Sequence, residues 1–271
     1  MNSHRVNERR NEEVVSRVRF ALIPPLIALI VLLVIWEGAI RMYGIKSYFL
    51  PSPWEVLLAA WRIRGELAGA VWLTGRAAIS GFSLSLVSGS VIAMIFAQSG
   101  HIRLGCFPYA VLLQTVPIVA IAPLVINWQG AGLQSVILIS FVVSLFPIIA
   151  NVTAGLTSVD RQLVELFRMG GANWWQEAIK LRVPHAVADL VTGARTSAGL
   201  AVIGAIVGEF FTGNSTSQHG LGFLIPQRIH WLKTDEAFAA VAMATLLGVV
   251  MFGAVGWLRS TVLARWCDAR G

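Results

Sequence analysis

The chain of 271 residues is 56% hydrophobic and only 13% charged. A soluble domain carries about 25% charged residues, so this composition excludes an ordinary soluble globule and indicates a surface that faces a lipid bilayer. The formal net charge of +7 would favour a nucleic-acid partner in a soluble protein. Lys and Arg in short loops also orient membrane proteins, however, and we expect no nucleic-acid partner here.

Six apolar stretches are long enough to cross a hydrocarbon core of roughly 30 Å, which takes about 20 residues of helix. The 56 residues 104–159 contain no Asp, Glu, Lys or Arg, which is too long for one helix and right for two, divided at residues 127–132. The pattern predicts an all-α polytopic membrane protein. The predicted spans are residues 20–40, 77–98, 105–126, 133–152, 190–211 and 237–258.

The first span follows a polar, Arg-rich segment, as the apolar core of a secretory signal would. Its apolar part exceeds the roughly 7–15 residues of such a core and no A-x-A-like site follows, so we expect a retained helix. With residues 1–19 in the cytoplasm, 13 Lys and Arg lie in inside segments and 7 in outside segments. This bias predicts that residues 1–19 and the tail 259–271 are both cytoplasmic.

Residues 51–75, between the first two spans, combine apolar and charged side chains at helical spacing. They predict an amphipathic helix at the outer membrane interface. Its apolar side chains are Trp54, Leu57, Leu58, Trp61, Leu67 and Trp72.

Small residues recur every fourth position in the second span and in GxxxG spacing in the fifth. Such residues let helices approach closely in a membrane. Close packing within one subunit and a contact between subunits explain them equally well. The positions are Gly81, Ser85, Gly89, Ala93 and Ala97, followed by Gly204 and Gly208.

The third predicted span contains Pro108, Pro117 and Pro123, each of which removes a backbone donor. A broken helix at membrane depth is tolerated where neighbours or a water-filled cavity satisfy the freed groups. Gln114 and Thr115 are therefore candidates for a polar path across the membrane. They would serve equally well as partners for the loosened backbone.

Glu209 is an acid near the end of the fifth span, where an ionisable side chain is usually paired or faces a cavity. Arg195 lies 14 residues earlier, about 21 Å along a straight helix, and cannot reach it. We expect Glu209 to line the path or to contact another subunit; the alternative is exposure at the outer interface.

Residues 158–189, between spans four and five, have the pattern of two short helices. Gly170 and Gly171 end the first helix, Asn173 and Gln176 form a capping box for the second, and Pro184 closes it. Such a unit outside the membrane is suited to docking into a groove of a partner; the alternative is a helix pair on the membrane surface. No Walker A sequence occurs in the chain.

The same segment resembles the EAA loop of binding-protein-dependent ABC-transporter permeases, with Leu166 and Phe167 in place of the two alanines. Other parts of the chain from about residue 50 to the sixth span are similar to the same family, and most similar to the subgroup for nitrate, sulfonates, taurine and thiamine-precursor pyrimidines. The matching sequences are Glu165-Leu166-Phe167-Arg168-Met169-Gly170-Gly171-Ala172 with Val183-Pro184-His185, Leu50-Pro51-Ser52-Pro53, Gln114-Thr115-Val116-Pro117, Ala122-Pro123-Leu124, Gly208-Glu209-Phe210 and Gly220-Leu221-Gly222-Phe223-Leu224-Ile225.

The resemblance implies a MetI-like permease subunit in a bacterial inner membrane, surrounded by lipid and paired with a second copy of itself. It also implies two cytoplasmic ATP-binding subunits and an external solute-binding protein. The EAA loop would form a coupling helix, and the path would include Gln114, Thr115 and Glu209. The implied ATPase-coupling residues are Glu165, Leu166, Phe167, Gly171, Ala172, Trp174, Trp175 and Pro184. Glu165 would either pair with a basic residue of the ATPase or cap the second helix.

Two other functions are weighed against this one. A polytopic membrane enzyme would use His185, His219 or His230, but no HExxH or GxSxG sequence accompanies them. An autonomous secondary transporter would show inverted repeats, and the chain has no evident repeat. We therefore expect no catalytic residue, no metal and no cofactor, and Cys106 and Cys267 are too few for a disulfide framework or a zinc site.

Overall fold

The computed structural model describes the backbone of residues 3–212 and 219–267, with side chains for residues 23–212 and 219–257. Over these residues the structure is helical and contains no strand, which confirms the predicted all-α class. The helices are α1 (Ser3–Tyr43), α2 (Pro53–Arg62), α3 (Arg64–Gln98), α4 (Gly100–Thr115), α5 (Ile118–Gln129), α6 (Leu133–Thr157), α7 (Arg161–Met169), α8 (Trp174–Glu177), α9 (Val183–Thr212), α10 (Leu221–His230) and α11 (Thr234–Cys267), with a π-helical turn (Ala178–Arg182) between α8 and α9.

Five uninterrupted helical stretches among the described residues are long and apolar enough to cross a membrane, and the pair α4–α5 supplies a sixth if it is counted as one span. The expected number of about six is therefore confirmed. The five stretches are Ile23–Tyr43, Arg64–Gln98, Leu133–Thr157, Trp174–Thr212 and Thr234–Trp257.

The third predicted span, residues 105–126, is not a single helix. It consists of α4 and α5, which meet at 95°. Val116 and Pro117 adopt extended backbone, with ψ of 124° and 112°. Pro117 has no N–H for the carbonyl of Leu113 and disfavours helical geometry at Val116. The helix therefore stops at Thr115 and restarts at Ile118.

The predicted interfacial helix over residues 51–75 is also divided. Ser52 is the N-cap of α2, and its side chain forms a capping box with Glu55. The break at Ile63 separates α2 from α3, and residues 64–75 belong to the long spanning helix instead.

The core is formed by α3, α6 and α9, which approach one another where glycine and serine replace larger side chains. A Cβ on Gly81 would lie 2.5 Å from Ser140 Oγ, and one on Gly204 would lie 2.7 Å from Ser140 Cα. Ser140 Oγ donates to the carbonyl of Ala201 at 2.8 Å, and Ser197 Oγ donates to that of Ser144 at 2.7 Å. The small residues therefore serve close packing within one chain.

Candidate functional site

The first part of the segment 158–189 is α7, which ends in two backbone hydrogen bonds across the glycine pair. Gly171 N donates to Arg168 O at 3.0 Å, and Ala172 N donates to Phe167 O at 3.1 Å. This pattern is the Schellman motif, which needs a left-handed residue after the helix. Gly171 supplies it with φ of +75°, so the predicted stop is found at the predicted glycines.

The second part begins with the capping box that the sequence predicts. Asn173 Oδ1 accepts from Gln176 N at 2.9 Å, and Gln176 Oε1 accepts from Asn173 N at 2.9 Å. Glu165 does not cap this helix, because its carboxylate instead accepts from Arg161 Nε at 2.9 Å within α7.

The expected end of the second helix at Pro184 is not observed. The chain continues through the π-helical turn, where Val183 N donates to Ala178 O, directly into α9. The wider turn accommodates a proline that cannot donate to the residue four positions earlier. The segment is therefore joined to the fifth span without a break in helical structure.

A buried carboxylate fixes the two short helices to the rest of the protein. Glu177 is 2% exposed, and it accepts from Arg168 Nε of α7 at 3.1 Å and from Arg182 Nε of the π-helical turn at 2.7 Å. Arg182 Nη1 also donates to the carbonyl of Leu156 in α6 at 3.0 Å. We call Arg168, Glu177 and Arg182 the ionic mount.

The ionic mount is not among the residues that the sequence motifs predict for the site. The available signal is a single acid, Glu177, between Arg168 and Arg182, in a segment (168–182) that holds no other Asp or Glu. Glu177 and Arg182 are five residues apart, and their contact spans the π-helical turn.

Apolar side chains cover the outer side of the mounted helices. Leu166 is 63% exposed, Trp175 59% and Met169 86%. Of the other predicted coupling residues, Glu165 and Gly171 are exposed, whereas Phe167, Ala172, Trp174 and Pro184 are partly buried. We call the exposed side chains the apolar surface; they are Leu163, Leu166, Met169, Trp175 and Ile179.

The predicted path residues do not form one site. Gln114 lines a cavity of about 310 Å³ at the break between α4 and α5. Thr115 donates instead to the carbonyl of Leu112 at 2.8 Å, and Glu209 is not among the residues that line this cavity.

Glu209 is buried at the opposite end of α9 from the ionic mount. Its Oε2 accepts from Thr74 Oγ1 at 2.8 Å and from Gly222 N at 2.9 Å. Leu221 N donates to Thr74 Oγ1 at 3.0 Å, so the carboxyl joins α3, α9 and α10. Exposure at the outer interface is excluded, since the residue is 4% exposed.

Residues 85–264 match the family described as the binding-protein-dependent transport system inner membrane component. The chain belongs to this family. It is accordingly a permease subunit of an ABC importer and not an enzyme.

This permease is similar along most of its length to curated permeases. It is 31% identical to the formylaminopyrimidine transport permease protein ThiX of Halalkalibacterium halodurans, over 90% of this chain and 96% of that protein. It is 33% identical to the riboflavin transport system permease protein RibX of Chloroflexus aurantiacus, over 89% and 88%. The taurine transport system permease protein TauC of Escherichia coli is 25% identical, over 82% of each chain.

The fold of this permease also occurs in a solved transporter. A chain of the MetNI methionine ABC transporter, in an inward-facing conformation, superposes with a TM-score of 0.57 at 19% identity. The match covers 72% of this permease and 98% of that chain. This likeness confirms the MetI-like fold.

Proposed function

We propose that this permease forms a homodimer that works with two cytoplasmic ATP-binding subunits and an external solute-binding protein. The segment 158–189 is the part that the ATPase moves. Both termini lie in the cytoplasm, on the same side as this segment, which agrees with the distribution of Lys and Arg.

The observation that carries the proposal is the combination of the ionic mount with the apolar surface. An exposed apolar patch marks a site of interaction with a protein or a membrane, and an amphipathic helix that docks into a groove buries such side chains. The ionic mount holds the backbone of α7 and α8 in a fixed position before a partner binds. Less conformational entropy is therefore lost on binding.

The same contacts offer a route for motion into the membrane. A displacement of α7 and α8 would be transmitted to α6 through the hydrogen bond from Arg182 to the carbonyl of Leu156. It acts on α9 directly, since the π-helical turn continues into that helix. Nucleotide would then bias the spans between two states by binding one state of the ATPase more tightly.

The solute is small and reaches the permease from the binding protein. The named relatives carry a pyrimidine, a flavin or taurine. We propose that the solute belongs to the corresponding range: a sulfonate, nitrate or another small anion, or a pyrimidine-type compound.

The proposal is tested by truncating the apolar surface without touching the mount. Leu166→Ala should remove most of the ATPase subunit that co-purifies with the permease, because it deletes an apolar contact with the partner. Leu246→Ala is the matched control, since Leu246 is 51% exposed on α11 and lies far along the chain. Both variants should insert into the membrane as the natural chain does.

Two results would contradict the proposal. One is equal ATPase recovery with Leu166→Ala and Leu246→Ala. The other is solute transport by the purified permease alone, without an ATPase subunit, which would indicate a secondary transporter.

A further inference from the structure

A groove of about 340 Å³ lies between α4 and α6. Its lining includes Thr157, the last residue of α6, next to Leu156, whose carbonyl accepts from Arg182 of the ionic mount. The 25 residues of α6 extend about 37 Å, which exceeds the roughly 30 Å of a hydrocarbon core. Charged residues follow from Asp160 onward, so the groove reaches the level of the lipid headgroups.

Most of the groove is apolar and open to the surroundings of the helix bundle. Its apolar lining residues are Leu104, Phe107, Pro108, Ala150 and Ala154. Leu104 is 75% exposed, and Pro108 and Ala154 are exposed as well. Lipid tails are as apolar as leucine, so this part of the groove is complementary to an acyl chain.

Arg103, in the first turn of α4, is the one charged residue in the described lining of the groove. No ion pair or hydrogen bond joins its side chain to another side chain among residues 23–212 and 219–257. A guanidinium binds phosphate with two parallel hydrogen bonds, and basic pockets between membrane spans bind anionic lipid headgroups. Neither Asp nor Glu is among the lining residues, so no carboxylate of the lining repels a phosphate.

Thr153 gives a second, independent indication of a ligand. It lines the groove and is only 3% exposed, but its hydroxyl has no hydrogen-bond partner among the described residues. Every other threonine described with its side chain forms a hydrogen bond. Thr157, one turn later on the same helix, donates to the carbonyl of Thr153 at 2.8 Å. A buried hydroxyl without a partner is unfavourable, so Thr153 Oγ1 is available to a group that enters the groove.

We propose that this groove binds an anionic phospholipid. Arg103 binds the phosphate, the hydroxyl of Thr153 donates to an ester carbonyl, and one acyl chain lies along the apolar lining. In a phospholipid the ester carbonyls lie between the phosphate and the chains, just as Thr153 lies between the end of α6 and Ala150. The inference goes beyond the proposed function and takes from it only the side of the membrane, since the lipid belongs to the leaflet that faces the ATPase.

The test is lipid binding to the full-length permease, purified in detergent and freed of lipid. Native mass spectrometry follows a titration with phosphatidylglycerol, which is anionic, or with phosphatidylcholine, which is zwitterionic and carries the same esters. We expect phosphatidylglycerol to bind about fivefold more tightly, and an excess of glycerol 3-phosphate not to displace it. Equal binding of the two lipids would overturn the inference, as would displacement by glycerol 3-phosphate, which would indicate a site for a free phosphate. Binding of neither lipid would also overturn it and would leave the groove to a second copy of the chain.

Arg103→Gln tests the contact with the phosphate. The loss of one basic side chain near an anionic headgroup should weaken the binding of phosphatidylglycerol about fivefold and remove its advantage over phosphatidylcholine. Arg76→Gln is the matched control, because Arg76 is an exposed arginine of α3 that does not line the groove. An equal loss of binding in the two variants would overturn the role of Arg103.

Thr153→Val tests the contact with the ester, since it keeps the shape of the side chain and removes the hydroxyl. Both lipids carry the ester, so the binding of both should weaken about fivefold. Thr196→Val is the matched control, because the hydroxyl of Thr196 donates to Thr192 in its own helix and Thr196 does not line the groove. Unchanged lipid binding by Thr153→Val, together with a raised thermal midpoint of the lipid-free protein, would overturn the role of Thr153. These measurements need neither ATPase nor solute, so a failure of the proposed function is separate from a failure of this inference.

Discussion

Glu177 and Glu209 are both glutamates with almost completely buried side chains, at 2% and 4% exposure, but their partners differ. Glu177 accepts hydrogen bonds from two arginines, whereas Glu209 accepts from a hydroxyl and a backbone N–H. They lie 32 residues apart in one continuous helical stretch, roughly 48 Å along its axis.

The difference shows two ways of using a buried carboxyl. Around Glu177, ion pairs hold two short helices in place. The outer side of these helices stays exposed and carries the apolar surface. Around Glu209, three helices close on the side chain. A Cβ on Gly220 would clash with the Glu209 carboxyl, so the backbone of Gly220 lies directly against this side chain.

The largest expected effect is that of Glu177→Gln, which removes the charge that neutralises two arginines. Loss of one partner from a buried ion pair costs about 3–5 kcal/mol; we expect the lower end, because Arg168 is 63% exposed. The local stability of α7 and α8 should fall, and their amide hydrogens should exchange faster with the permease in lipid nanodiscs.

Glu165→Gln is the control for that measurement. It removes an exposed pair with Arg161 four residues away, of a kind worth about 0.3–0.5 kcal/mol. Equal exchange rates in α7 and α8 for the two variants would show that the ionic mount does not hold the segment.

A smaller effect is expected at Gly222, in the region around Glu209. A Cβ there would lie 2.1 Å from the carbonyl oxygen of Ile206, so Gly222→Ala should lower the stability of the folded permease by about 1–3 kcal/mol. Gly199→Ala, where nothing lies within 4 Å of the added atom, is the matched control. The thermal midpoint of the detergent-solubilised permease compares them, and equal midpoints would contradict the close packing described here.

Glu209 itself should tolerate one replacement better than another. Glu209→Gln keeps an oxygen that can accept from Thr74 and Gly222. Among the side chains of residues 23–212 and 219–257 no cation pairs with Glu209, so the stability of this variant should stay close to that of the natural chain. Glu209→Leu removes that acceptor, and an unsatisfied buried donor costs about 1–3 kcal/mol. A thermal midpoint for Glu209→Gln as low as that for Glu209→Leu would indicate that the charge itself is required.

Much of this arrangement is predictable from the sequence because local chemistry determines it. Charge-free stretches mark the spans, and Gly171 and the Asn173–Gln176 pair end and begin helices through contacts within a few residues. Pro117 predicts a break, but it does not predict that the two helices meet at 95°. Partners from distant parts of the chain are invisible to local patterns: Thr74 lies 135 residues from Glu209.

The smallest expected effect is on the local stability of α2 and concerns Glu55. Unlike Glu177 and Glu209, this glutamate is not buried, and it lies outside the membrane spans. The backbone N–H of Ser52 and the hydroxyl of Ser47 donate to it at 2.8 Å, and the first of these is the main reason that the pKa of Glu55 lies below its ordinary value of 4.5. Because the pKa of Glu55 is lower in the folded state, the ionised carboxylate stabilises the fold. This contribution is complete above about pH 4.5 and is lost as the pH falls through the lowered pKa. The protection factors of the amides at the start of α2, which are exchange rates corrected for the intrinsic pH dependence of exchange, should therefore fall on acidification below about pH 4.5. Glu55→Gln should remove that fall. An unchanged pH dependence in the variant would assign the effect to another group.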